Sequence, residues 1–277
     1  MKITDLQGTV QLANGVEMPY FGLGVFKTSE GSEVENSVKW SLEAGYRHID
    51  TAAIYKNEHG VGNAIKKSGI PRSELFITTK VWNQNQRTDT VMEGFEESLQ
   101  LLQTDYIDLL LIHWPVKQKY TTTWKVMETI YRSGRARAIG LSNFLQHHIE
   151  DVLQIADIVP MVNQVECHPY LVQQPLIDFC QSHQIVYEAW SPIMRGAVNT
   201  IPLFIELSEK YKKTPVQIVL RWDLQKGIVT IPKSVHQDRI MSNADIFDFE
   251  LSAEDIRVID ALDKNERFGS HPDTFTF

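Results

Sequence analysis

Asp108-Leu109-Leu110-Leu111-Ile112-His113 is an apolar run of strand length that closes on a titratable side chain. Two earlier runs end in the same way: His48-Ile49-Asp50, followed shortly by Tyr55, and Phe76-Ile77-Thr78-Thr79-Lys80. A strand buried on both faces reads as a nearly continuous apolar run, the pattern of parallel strands covered by helices. Ionisable groups at the ends of three such strands are costly unless those ends converge on a pocket. Parallel strands closed into an α/β barrel bring their carboxyl ends to one rim, where barrel enzymes keep their chemistry.

Outward from these runs the pattern repeats. Strand candidates fall at Phe21–Val25, His48–Asp50, Phe76–Thr79, Asp108–His113, Ile139–Ser142, Met161–Gln164, Val186–Ala189 and Val229–Ile231. Helical periodicity lies between most of them, as in the stripe Val91, Phe95, Leu99 and Leu102. Asn57, Thr214 and Ser252 read as helix caps. Between the last two strands the chain holds two helices, Pro202–Lys212 and Pro215–Lys226. Ahead of the first strand, Val10–Leu12 and Glu17-Met18 flank Asn14-Gly15, the signal of a two-residue hairpin turn. Eight β/α units in 277 residues fit a closed barrel better than an open sheet. No linker or shift of composition divides the chain, so the reading is a (β/α)8 TIM barrel with an N-terminal β-hairpin, one domain over residues 1–277. The aromatic end, Phe268 to Phe277, either folds over a rim or forms a tail.

Composition narrows the function. A net charge of −8 leaves no electrostatic footprint for nucleic acid, and an anionic ligand must find a local cationic cluster. Two cysteines, Cys167 and Cys180, make neither a disulfide framework nor a metal pattern, and Cys167 reads as an inert thiol. The amino terminus lacks a signal-peptide core, and no apolar run approaches the ~18 residues of a membrane span. A cytoplasmic protein that binds neither membrane nor metal is expected. His147-His148 then simply opens a helix.

The residues at the strand ends form a plausible acid. Tyr55 is a phenol with an ordinary pKa of ~10. A nearby ammonium favours the phenolate, so Lys80 is expected to lower that value, with Asp50 holding the ammonium in place. His113 either offers a hydrogen bond to an incoming carbonyl oxygen or shares the proton transfer. Together these groups suit a carbonyl that gains a hydride and then a proton.

The runs Gly45-Tyr46-Arg47-His48-Ile49-Asp50-Thr51-Ala52, Asn57-Glu58-His59-Gly60-Val61-Gly62, Thr79-Lys80-Val81-Trp82, Leu111-Ile112-His113-Trp114-Pro115, Ile139-Gly140-Leu141-Ser142-Asn143-Phe144 and Ile231-Pro232-Lys233-Ser234 resemble the aldo-keto reductase family. The similarity leans toward microbial and protozoan members, among them glyoxal and methylglyoxal reductases and prostaglandin F synthase-like enzymes. It implies an eight-stranded barrel with an Asp–Tyr–Lys–His tetrad, here Asp50, Tyr55, Lys80 and His113. Tyr55 is then the proton donor, Asp50 and Lys80 tune it, and His113 orients the carbonyl.

None of these side chains can supply a hydride, so a nicotinamide cofactor is required. Gly22-Leu23-Gly24 continues into Val25-Phe26-Lys27 rather than the Gly-x-Gly-x-x-Gly of an open dinucleotide fold. The resemblance instead assigns the carboxamide to Ser142, Asn143 and Gln164 and the nicotinamide face to Trp190. It adds Gly24, Asp50, Ser191 and Ile193 to the cofactor set. Lys233, Ser234 and Arg239 supply the local positive charge, and guanidinium matches a 2′-phosphate, so NADPH/NADP+ is expected. The resemblance also assigns Asn243 to the adenine. One departure from many relatives is Ile193-Met194-Arg195, where a Leu-Gly pair commonly opens the loop. Phe26, Trp82 and Trp114 wall an apolar substrate pocket together with Tyr55 and His113.

The sequence therefore predicts a monomeric NADPH-dependent reductase of aldehydes, ketones and dicarbonyls such as methylglyoxal. Two alternatives use the same residues: a cofactor-binding redox sensor with little turnover, and a barrel lyase or isomerase forming a Schiff base at Lys80.

Overall fold

Eight parallel strands, β3 to β10, form one sheet in sequence order, and its first and last members meet. The computed structural model describes residues 2–277. The strands are β3 (Gly22–Gly24), β4 (His48–Asp50), β5 (Phe76–Val81), β6 (Ile107–Ile112), β7 (Ala136–Ser142), β8 (Val162–Glu166), β9 (Val186–Trp190) and β10 (Val229–Thr230). Phe21 bridges Thr230 in parallel, and the Gly24 N–H donates to the Pro232 carbonyl at 3.2 Å. These contacts close the cylinder and leave no open strand edge between β3 and β10.

Every residue of β5 and β6 is buried. One face of each strand fills the barrel and the other packs on a helical shell, so β6 is apolar but for Asp108, while β5 carries Thr78, Thr79 and Lys80 among its buried residues. The shell comprises α1 (Ser32–Glu43), α2 (Glu58–Ser68), α3 (Asn83–Arg87), α4 (Val91–Leu102), α5 (Tyr120–Arg132), α6 (Gln146–Ile155), α7 (Gln174–Ser182), α8 (Pro202–Tyr211), α9 (Pro215–Gln225), α10 (Gln237–Ala244) and α11 (Ala253–Asp260). The predicted stripe on α4 is the face it buries: Val91, Phe95, Leu99 and Leu102 all enter the core. None of the described helices is long and apolar enough to cross a membrane.

Two of the three predicted caps act as caps. Thr214 accepts the Gln217 N–H and Gln217 returns the bond to the Thr214 N–H, a reciprocal cap on α9. Ser252 accepts the Asp255 N–H at the start of α11. Asn57 precedes α2 but makes no cap with its side chain. Its amide donates instead to the carbonyls of Val25 and Thr28 and accepts from the Thr51 hydroxyl at 2.8 Å. The backbone leaving β3 is thus tied to the backbone leaving β4.

The hairpin is present, with β1 (Thr9–Gln11) antiparallel to β2 (Glu17–Pro19). The Leu12 N–H reaches the Val16 carbonyl, so the connection has three residues rather than two. Of Asn14 and Gly15, only Gly15 takes positive φ, at 85°. A two-residue type I′ turn needs positive φ at both, and a three-residue loop with glycine in the left-handed position does not. Leu12 and Met18 are buried, and Asn14 donates to the Arg137 carbonyl at the amino end of β7, so the hairpin covers the end of the barrel away from the carboxyl rim.

At that same end Asp108 is fully buried. It accepts the Ile77 N–H at 2.9 Å and lies 2.7 Å from both Arg72 and Arg137. Asp108→Ala leaves a buried backbone donor without its acceptor and removes the carboxylate paired with two guanidinium groups. A loss of about 2–3 kcal/mol is expected, measured by urea unfolding.

Candidate active site

Lys80 and Asp50 form an ion pair sealed in the barrel. Lys80 Nζ donates to Asp50 Oδ1 at 2.7 Å, to Oδ2 at 2.8 Å and to the Thr51 carbonyl at 2.8 Å. All three ammonium protons have partners, which lets a charged lysine stand almost fully buried. Burial is the largest single influence and by itself lowers the pKa, but the charge and hydrogen bonds of Asp50, with smaller contributions from Tyr55 and Glu188, together turn the net displacement upward. Lys80 is therefore a fixed cation.

Tyr55 lies on a short 3-10 turn, Ala53–Tyr55, just beyond β4. Lys80 Nζ is 5.1 Å from its ring centroid, and the His113 ring meets it edge-on at 5.6 Å. The sequence reading expected Lys80 to bring the phenol below its ordinary pKa. The phenol is instead pushed up to about 12, because desolvation outweighs the pull of the ammonium. Tyr55 therefore holds its proton at neutral pH. Burial and the Lys80 charge push His113 well below the ordinary imidazole range, so its ring is neutral.

These groups open into a cavity of about 820 Å³ on the carboxyl rim. Asp50, Tyr55, Trp82, His113, Trp114, Asn143, Gln164, Trp190, Ser191 and Ile193 all line it, as do Phe26 and Gly24. A Cβ on Gly24 would lie 2.9 Å from the Ile231 carbonyl, so the wall there admits only glycine without a shift. Asn143 holds φ at 65°, a conformation uncommon outside glycine and concentrated at functional sites. Its amide nitrogen donates to the His113 carbonyl at 2.9 Å, and its oxygen accepts the Trp190 indole N–H at 2.8 Å. That bond fixes the indole plane against the cavity. Ser142, expected to face the cofactor, lies behind Asn143 and accepts from its amide instead of reaching the cavity wall. Alternation along β7 and the turn after it bring only Asn143 to the surface of the pocket.

The far end of the cavity is cationic. Lys233, Ser234, Arg239 and Asn243 line it, the last two on α10. Among the described residues neither Lys233 nor Arg239 has a hydrogen-bonding or ion-pair partner. In a chain of net charge −8, two unpaired cations on one wall mark a site for an anionic group.

The loop after β9 holds Ser191, Met194 and Arg195 at φ near 55°. Arg195, the departure in the sequence, donates to the Phe268 carbonyl at 2.9 Å and ties this loop to the carboxyl-terminal segment. That segment folds over the rim. Glu166 accepts the N–H groups of Phe268 and Gly269, and Arg87 and Asn83 donate to the Phe277 carbonyl. The Phe277 ring stacks on Trp82 at 5.9 Å and meets Trp114 edge-on at 5.2 Å. Phe277 is thus a pocket residue the sequence reading did not name, although an aromatic end was its one available signal. Glu188, buried below Gln164, was also missed. Its signal was an acid in the middle of a buried strand.

Two features lie apart from this site. Cys167 is buried, and desolvation raises its thiol well above the ordinary range. His147, His148 and Asp273 form the one grouping among the described residues with metal-like spacing. His148 Nδ1 accepts the Leu145 N–H at 3.2 Å, so its Nε2 carries the proton and points at Asp273 as a donor. The cluster reads as a clamp on the carboxyl-terminal segment.

The sequence model of the Aldo/keto reductase family matches residues 18–264. A glyoxal reductase of Bacillus subtilis is 57% identical, the match covering 99% of each chain. A 9,11-endoperoxide prostaglandin H2 reductase of Trypanosoma cruzi is 49% identical over 96% of this chain and 95% of its own. The crystal structure of a Gox0644 variant in complex with NADPH superposes with a TM-score of 0.93 at 40% identity, covering 98% of this chain and 99% of that one. With a family match across most of its length, and with the barrel and rim described above, the chain belongs to the aldo/keto reductase family.

Proposed function

We propose that this protein reduces aldehydes, ketones and small dicarbonyls of the glyoxal and methylglyoxal type to alcohols, with NADPH as the reductant. The observation that carries the reading is a loaded phenol, Tyr55, and a neutral imidazole, His113, facing one cavity above a sealed ammonium–carboxylate pair. The whole chain, 1–277, acts as one catalytic domain, working as a monomer in the cytoplasm.

The residues present fit the cofactor. Arg239, Lys233 and Ser234 would hold the 2′-phosphate end, Asn243 the adenine, and Gly24, Ser191 and Ile193 the dinucleotide between. Trp190 would pack on the nicotinamide, and Asn143 and Gln164 would bond its carboxamide. When bound in reduced form, NADPH supplies the hydride.

The chain's own residues do the rest. His113, uncharged, directs a nitrogen at the carbonyl oxygen and orients it without competing for the proton. Tyr55 gives its phenolic proton to that oxygen as negative charge develops there. An alkoxide is a far stronger base than a phenolate, so a phenol of pKa about 12 still transfers its proton downhill. Lys80 then faces the phenolate, and Asp50 holds Lys80 charged and immobile throughout. Phe26, Trp82, Trp114 and Phe277 exclude water and hold the apolar part of the substrate.

The redox-sensor alternative has the same cofactor wall but no use for a loaded acid beside an open pocket. The Schiff-base alternative needs a free amine, and Lys80 has all three protons engaged.

Three measurements test the reading. Tyr55→Phe should lower kcat for a dicarbonyl by about 10²–10⁴-fold while leaving the Kd for NADPH near that of the wild type. Turnover that survives in this variant rejects Tyr55 as the acid. Arg239→Ala should weaken NADPH binding by about tenfold or more with little change for NADH, read by quenching of tryptophan fluorescence. Because the His113 pKa is displaced downward, its protonated form is absent at neutral pH. Hydride-transfer rates should accordingly run level between about pH 6 and 7 in stopped-flow single turnovers, where an unperturbed imidazole would titrate.

A further inference from the structure

Below the rim lies a buried acid in direct contact with the site that the mechanism does not use. Glu188 sits in the middle of β9 with no solvent exposure. Its Oε2 accepts from Gln164 Nε2 at 2.9 Å, and the same nitrogen donates to Asp50 Oδ2 at 2.8 Å. The Oε1 atom has no hydrogen-bond partner and lies 3.9 Å from His48 Nε2.

The sharing of that nitrogen decides the direction of the Gln164 side chain. An amide group has a donor end and an acceptor end, and two carboxyl groups below it select the donor end. Both amide hydrogens are then used inside the barrel. The Gln164 carbonyl oxygen is left to the cavity, and no protein donor reaches it among the described residues. Asp50 alone would engage one hydrogen and leave the amide free to rock.

We propose that Glu188 is a positioning residue for the reductase site: by sharing Gln164 Nε2 with Asp50, it fixes the Gln164 carbonyl toward the cofactor and sets the charge felt by Asp50, Lys80 and Tyr55. The inference rests on the reductase reading of the cavity and extends it to a residue that touches neither cofactor nor substrate.

The charge around Glu188 gives this arrangement a pH dependence. From β4, Asp50 and His48 face it; from β5, Lys80; from β8, Gln164; and β10 presents Val229 in register with no titratable group. Desolvation, with the Asp50 charge added, pushes the Glu188 carboxyl up to about 8, and Lys80 and Gln164 only partly oppose this. His48 is held down at about 3 by burial, so it stays neutral and offers no compensating charge. Glu188 is thus a neutral acid at pH 7. Above pH 8 it becomes a second anion beside Asp50, and an added anion there disfavours the Tyr55 phenolate. The acid at Tyr55 weakens as pH rises, and proton transfer slows.

The test compares wild type, Glu188→Gln and Glu188→Leu. In cofactor-free wild type, infrared difference spectroscopy should show a buried carboxylic acid losing its C=O band near pH 8, and Glu188→Gln should lack that band. Single-turnover reduction by the wild type should fall by roughly three- to tenfold across the same pH. In Glu188→Gln, which keeps an acceptor for Gln164 but cannot ionise, the fall should vanish and the Kd for NADPH should stay within about twofold. Glu188→Leu removes the acceptor and should raise that Kd by about tenfold. The proposal is overturned if Glu188→Gln retains the infrared band or the alkaline fall, or if folded Glu188→Leu binds NADPH as the wild type does. A wild type that transfers hydride from NADPH to none of the aldehydes, ketones or dicarbonyls supplied overturns the reductase reading itself, and the cofactor-free infrared titration separates that failure from this one.

Discussion

An ammonium and a carboxylate sealed together inside a barrel set the terms for everything around them. Taking two charges out of water costs several kcal/mol each, and their attraction repays this only when geometry is good and all remaining donors are satisfied. Lys80 meets that condition by using the Thr51 carbonyl as its third acceptor. The carbonyl is available because the chain turns away after β4, with the Thr51 N–H bonded to the Thr78 carbonyl and its hydroxyl bonded to Asn57. Asn57 in turn holds the backbone beyond β3. The rim loops that carry Phe26 and Tyr55 are therefore anchored to the same ion pair that serves the chemistry.

Desolvation acts on each group in the cluster differently, and the division of roles follows from that. Burial keeps the Tyr55 phenol protonated and the His113 imidazole neutral, whereas Lys80 stays charged because Asp50 and the other acidic groups around it together outweigh its burial. The result is one protonated phenol, one neutral imidazole and one fixed cation in a single water-poor space. The cationic wall at Lys233 and Arg239 is the complementary arrangement: charges left without partners where an anion is to bind, in a chain that is acidic as a whole.

Much of this could be read from residues in order. Apolar runs closing on Asp50, Lys80 and His113 named the barrel and its rim, because ionisable groups are tolerated at buried strand ends only where they converge. The stripe on α4 and the caps at Thr214 and Ser252 followed from helical periodicity and local hydrogen bonding, which involve neighbours in sequence. Asn57 shows the boundary of that reasoning. It occupies a capping position, yet its partners at Val25, Thr28 and Thr51 are distant in sequence, and the tertiary bonds prevailed over the local one. The hairpin differs for a related reason, since the pairing of Leu12 with Val16 decided the loop length once both sides were drawn onto the barrel floor.

From the order of its amino acids alone, the chain determined its eightfold strand-helix repeat, the groups at the strand ends and the cationic residues near its end. Those depend on side-chain identity and on periods of a few residues. Only the folded chain decided that desolvation overrides the lysine at Tyr55, that Ser142 stands behind Asn143, that Phe277 returns across the rim to Trp82, and that Glu188 shares an amide with Asp50. Each of these is a balance of solvent exclusion and contact between residues far apart in sequence, and neither quantity exists until the barrel has closed.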